Sequence, residues 1–146
     1  MRMLFWTALM AVPVLAQSPP GIEVLHVRGN IYMFASDGGN VTVQIGEHRD
    51  NDGVLMVDTG SAQMADRILA ELKKLTDKQL KYVVNTSADL DHAGGNEIIS
   101  STGGSRDAEG RGPRAAEVNI YAQDNALTRL SAPEAHIPEK GLPTMT

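Results

Sequence analysis

From Gly21 onward, apolar and polar positions divide the chain into short strands and then strand–helix units. Ile22 and Val24 alternate weakly with polar neighbours, so Gly21 to Val27 is expected as an edge strand. Ile31-Tyr32-Met33-Phe34-Ala35 is the next strand, and Asp37-Gly38-Gly39-Asn40 supplies turn residues that tolerate positive φ. Val41, Val43 and Ile45 alternate with Thr42 and Gln44, the period-two signature of a half-buried strand. Val54-Leu55-Met56-Val57 is continuously apolar, the pattern of a strand buried on both faces.

A helix is expected over Ala62–Leu75, with Ser61 as its N-cap. Ala65, Ile68, Leu69, Leu72 and Leu75 fall on one face, and Lys73 and Lys74 close the last turn. Lys81–Asn85 forms a strand, a polar loop runs from Thr86 to Gly95, and a short helix covers Asn96 to Ser100. Val118–Ala122 and Asp124–Leu130 read as a last strand and helix. Strands first, then alternating strands and helices, predict an α/β (α+β) fold: a mixed sheet with helices on one face.

The segments outside this pattern set the domain limits. Met3 to Leu15 is almost wholly apolar behind Arg2, and Val14-Leu15-Ala16 has the small-residue spacing of a cleavage site. Residues 1–16 are therefore expected to be a signal peptide, too short an apolar run to cross a bilayer comfortably. The product is expected to start near Gln17, to be exported to the periplasm or secreted, and to have no membrane contact after cleavage. Residues 17–30 make a leader and edge strand, 31–130 the domain, 101–114 a glycine-rich surface insertion, and 131–146 a Pro-rich tail without periodicity.

Composition narrows the function classes. Net charge is -5, and losing Arg2 with the leader makes it one unit more negative, which argues against nucleic acid as a partner. No cysteine is present, so an exported domain of this size rests on its apolar core or on a metal. There is no Walker-type glycine loop and no Gly-X-Ser-X-Gly elbow. Asp50-Asn51-Asp52-Gly53 lacks the later glutamate of a calcium loop.

The chemistry concentrates in Asn85-Thr86-Ser87-Ala88-Asp89-Leu90-Asp91-His92-Ala93-Gly94-Gly95-Asn96, where a strand gives way to a helix. Asp89, Asp91 and His92 crowd together ahead of two glycines. Such a set can hold a divalent metal, or it can be a hydrated acidic turn with a helix-capping aspartate.

The loop resembles the metal-binding motif of the metallo-β-lactamase superfamily, Asn-Thr-His-X-His-X-Asp-His-X-Gly-Gly-Asn. Asn85, Thr86, Asp91, His92, Gly94, Gly95 and Asn96 match it. Val54-Leu55-Met56-Val57-Asp58-Thr59-Gly60 resembles the family's apolar strand ending in Asp-Thr-Gly. Ile120-Tyr121-Ala122-Gln123-Asp124-Asn125 resembles a later strand-to-helix step, with Gln123 in place of a histidine. The likeness runs from Ile31 to Leu130.

It implies the first half of a four-layer αββα sandwich and metal-dependent hydrolysis of an ester, amide or phosphoester, with zinc as the usual metal. It assigns Asp91 and His92 to the second metal, with Asp91 the candidate catalytic residue, and places Asp58 behind the ligands. Two departures stand out. Ser87 and Asp89 occupy the positions of the two first-metal histidines, leaving Asp89 only as an optional third ligand. The later His-Thr-X-Gly-Asp segment does not occur, although Gly141-Leu142-Pro143-Thr144 resembles its lead-in. His26, His48 and His136 lack ligand spacing and read as ordinary surface histidines.

The resulting expectation is a truncated, exported hydrolase relative that binds zinc weakly or not at all and is inactive alone. The alternatives are a non-catalytic binding module, whose protein partner covers the open sheet face, and a gene remnant.

Overall fold

The structure, a computed structural model, describes residues 21–47, 52–102 and 118–146. The leader, His48, Asp50, Asn51 and most of the glycine-rich insertion lie outside the described residues.

Six strands form one sheet in chain order: β1 (Glu23–Arg28), β2 (Ile31–Ala35), β3 (Val41–Ile45), β4 (Val54–Val57), β5 (Leu80–Asn85) and β6 (Asn119–Ala122). The first four make an antiparallel meander, closed between β3 and β4 by the Gly46 N–H on the Gly53 carbonyl at 2.9 Å. β4, β5 and β6 then run parallel, because a helical crossover separates β4 from β5. That crossover is α1 (Ala65–Leu75); α2 (Leu90–Ala93), α3 (Asn96–Ser101) and α4 (Asp124–Leu130) follow. None of the described helices is long and apolar enough to cross a membrane.

The core lies on the helix side. Phe34, Val41, Val43, Met56, Val83 and Ile120 are buried there against Ala65, Ile68 and Leu72 of α1 and Ile99 of α3. The opposite face carries a row in register across all six strands: Leu25, Met33, Thr42, Val57, Val84 and Tyr121. Among the described residues no helix covers this row. Leu25 and the neighbouring Tyr82 stay 37% and 39% exposed.

Four expectations change. β4 is not buried on both faces: Val54 and Met56 are fully buried, whereas Leu55 and Val57 on the open side are half-buried. Ser61 does not cap α1, which begins at Ala65 after Met64. The Ser61 N–H is held by the Gly38 carbonyl at 2.9 Å, and the Ser61 carbonyl accepts from the Met64 N–H, so a turn intervenes. Leu75 lies at the helix end and is 36% exposed, not in the core. The tail is ordered by the rest of the fold. Two short 3-10 turns, Pro133–Ala135 and Glu139–Gly141, lead to a parallel bridge between Met145 and Tyr121 at the β6 edge.

Candidate functional site

β4 and β5 are parallel neighbours, so the loops after them emerge at the same sheet edge. Asp58 follows β4 at once and adopts φ 60°, a left-handed conformation tolerated by aspartate better than by most residues. Gly60 is also left-handed. These two turns bend the chain back, so that the Thr59 N–H and hydroxyl both donate to the His92 carbonyl, at 2.7 and 3.1 Å. The β2–β3 turn closes against the same loop. A Cβ on Gly39, at φ 103°, would lie 2.1 Å from the Asp91 carbonyl oxygen, which is why a glycine stands there.

Asp58 is only 5% exposed, yet its carboxylate is satisfied. Oδ1 accepts from the Thr86 N–H at 2.7 Å and Oδ2 from the Thr86 hydroxyl at 2.6 Å. His92 Nδ1 lies 2.9 Å from Oδ2. A carboxylate can only accept, so Nδ1 carries the proton and Nε2 is the imidazole atom left for other work. The Asp58 hydrogen bond raises the His92 pKa above its ordinary value against the opposing effect of burial, and the charges of Asp58, Asp91 and Asp89 add to the rise.

Asp91 approaches this ring only loosely, with Oδ2 at 3.9 Å from Nε2. Asp89 turns elsewhere. Its Oδ2 accepts from the Ser87 hydroxyl at 2.7 Å and its Oδ1 from Arg129 Nη2 of α4 at 2.8 Å. Both contacts lower the Asp89 pKa, the Ser87 hydrogen bond most.

Beneath the loop lies a buried amide network. Asn85 and Asn96 each donate to the other's side-chain oxygen, at 3.1 and 2.8 Å. Asn96 also donates to the Gly141 carbonyl at 2.9 Å, and its oxygen, 3.0 Å from the Thr59 hydroxyl, shares that one proton with the His92 carbonyl. One side chain thus joins β5, the turn after β4, α3 and the tail under His92.

The structure therefore brings together Asp58, Thr86, His92 and, at the rim, Asp91. It keeps Asp89 and Ser87 in a separate cluster with Arg129. Sequence reasoning gave no role to Thr86, Asn96 or Arg129. The first two stand inside the recognised motif, but nothing in a helical repeat announces that Arg129 reaches back to Asp89. His26 bonds the Gly29 carbonyl and His136 the Glu134 carbonyl; both are exposed, and His136 lines a cavity with Asp91 without bonding it.

The donor set does not fit a zinc ion. A structural or catalytic zinc takes at least three well-placed protein ligands. Among the described residues no group of three or more His, Cys, Asp or Glu side chains is arranged to hold a metal. His92 Nε2 and an Asp91 oxygen 3.9 Å away make at most two, and both Asp89 oxygens already have partners.

Comparison with known proteins accounts for this architecture. The profile of the metallo-β-lactamase superfamily matches residues 30–129. The linear primary-alkylsulfatase of Pseudomonas sp. (strain ATCC 19151) is 34% identical over 80 residues, 54% of this chain and 14% of that protein. The DIM-1 metallo-β-lactamase superposes with a TM-score of 0.59 at 18% identity, over 87% of this chain and 51% of its own. A double mutant of the sec-alkylsulfatase PisA1 superposes at 0.55 and 22% identity, over 75% and 16%. The chain thus spans about half the length of one relative and a smaller part of the others. It shares the mixed-sheet fold of these structures, and it belongs to the metallo-β-lactamase superfamily, a family of metal-dependent hydrolases.

Proposed function

We propose that these residues are part of an exported hydrolase of alkylsulfatase-like descent and do not by themselves complete a hydrolytic site. The observation that carries this reading is the Asp58–His92 pair. A buried carboxylate on Nδ1 is the arrangement that fixes a histidine tautomer and aims Nε2 outward for a metal. Asp58, Thr86 and His92 thus keep a ligand-orienting shell, while Ser87 and Asp89 stand where the resemblance calls for histidines.

The substrate class follows from the alkylsulfatase likeness: a sulfate ester on an alkyl chain. The chain's own contribution is to orient His92 through Asp58 and to hold the loop through Thr59 and Asn96. The test is sulfate release from a primary alkyl sulfate by the purified protein with added zinc. No turnover above background is expected, and metal-dependent turnover would overturn the reading.

A second reading is favoured by the row from Leu25 to Tyr121. It is apolar apart from Thr42, spans six strands and contains no charged side chain. A protein surface of matching apolar character, from a partner or from a further part of the same protein, would cover it. In this reading the half-sheet is a binding module.

A further inference from the structure

We infer that the Arg129 guanidinium takes over the role of the first metal, organising the Ser87–Asp89 segment as a cation supplied by the chain itself at the surface. This rests on the family reading of positions 87 and 89 but not on any substrate.

Three observations support it. First, Asp89 is engaged at both oxygens, Oδ2 by the Ser87 hydroxyl at 2.7 Å and Oδ1 by Arg129 Nη2 at 2.8 Å. Second, the Ser87 hydroxyl is itself used twice, because it also accepts from the Asp89 N–H at 3.2 Å. The two positions that would chelate are closed on each other. Third, Arg129 comes from α4, the helix after β6, so its ion pair ties the loop after β5 to the next strand–helix unit. A metal shared between loops would make the same kind of tie. An arginine does it without a vacant coordination position, because a guanidinium can only donate.

Asp89 is also the N-cap of α2, but its side chain caps no backbone N–H. The His92 and Ala93 N–H groups instead reach the Asp89 carbonyl at 2.9 Å. The carboxylate is thus diverted from the local bond that a capping aspartate ordinarily makes. Arg129 and Ser87 account for the diversion.

The pair is exposed, 64% at Arg129 and 57% at Asp89, so its strength is that of a surface contact and its loss leaves the fold intact. What its loss changes is the response to cations. Without Arg129, Asp89 loses its countercharge and is held only by the Ser87 hydroxyl, so that it can turn toward His92 when a cation binds there.

The experiment compares the parent protein with Arg129→Ala, Arg129→Lys and Asp89→Asn, using zinc alone as the probe. Backbone amide exchange over residues 87–93 and calorimetric zinc titration are measured for each. In the parent, exchange in the loop is unchanged by zinc or by chelator. Arg129→Ala exchanges faster there, zinc slows it again, and zinc affinity rises roughly fivefold, the scale of one unscreened surface charge contact. Arg129→Lys, which keeps a cation, shows little of this gain. Asp89→Asn loosens the loop without gaining a zinc response. The inference is overturned if Arg129→Ala binds zinc no more tightly than the parent, or if Asp89→Asn gains the same response. Sulfate-ester turnover is read separately, so failure of the proposed function leaves this comparison interpretable.

Discussion

His92 Nδ1, in α2 beyond the end of β5, sits 2.9 Å from Oδ2 of Asp58 at the end of β4, and the contact exists because β4 and β5 are parallel neighbours. Thr86 completes it from the β5 side, with its N–H and hydroxyl on the two oxygens of the same carboxylate. A local arrangement of three side chains therefore depends on strand order across the sheet.

This pair sets a pH dependence. The His92 pKa is raised above 6.5, first by the Asp58 hydrogen bond. A raised folded-state value means that protonation favours the fold. The contribution is fully present below the unfolded value of about 6.5 and disappears as pH rises through the higher folded value. NMR titration of the His92 ring is expected to give a midpoint above that of an unfolded peptide. Asp58→Asn should lower the midpoint; an unchanged midpoint would mean that the pair does not govern the ring.

Asn96 is 1% exposed and joins three partners through four hydrogen bonds of one amide. Asn96→Ala strands the Asn85 amide and the Gly141 carbonyl, while the Thr59 hydroxyl keeps the His92 carbonyl as acceptor. An unsatisfied buried polar group costs about 1–3 kcal/mol, so a total loss of about 3 kcal/mol is expected in urea unfolding. A loss below about 0.5 kcal/mol, the range of ordinary surface changes, would show that water replaces these contacts.

Most of the strands were legible because alternation reports burial directly: Val41 and Val43 pack where period two puts them. What was not legible depended on contacts distant in sequence. Ser61 carries a capping signal, but Gly38 holds its backbone and the helix starts later. Leu55 and Val57 read as core because the run is apolar, yet the face they occupy has no helix over it. Within the site, Asp58 and His92 were legible through motif likeness. Arg129 was not, since its partner lies 40 residues away.

The open sheet face is expected to report on itself. Tyr82 is 39% exposed and lies 6.3 Å, ring to ring, from Tyr121. Tyr82→Lys should reduce binding of an apolar dye and lower any self-association, with little change in unfolding free energy. Equal dye binding by parent and variant would show that the row is covered in solution.

Rebuilding the loop separates metal binding from chemistry. Ser87→His with Asp89→His supplies the two histidines that the resemblance places there and releases Arg129 from its partner. Zinc affinity should rise by at least tenfold in calorimetric titration, while alkyl sulfate turnover stays at background. Two ligands improve a site but do not supply the wall and second-site groups of a catalytic centre. Metal-dependent turnover by the double variant would show that these residues form a more complete active unit than proposed.

The central claim is that this loop keeps the scaffold of a metal site without the ligands to hold the metal. It is tested most directly by the zinc content of the unmodified protein, loaded with excess zinc and then passed through gel filtration in a mild chelator. Zinc well below one ion per chain is predicted. One zinc per chain retained through the chelator would contradict the account, because His92 and Asp91 alone cannot hold it.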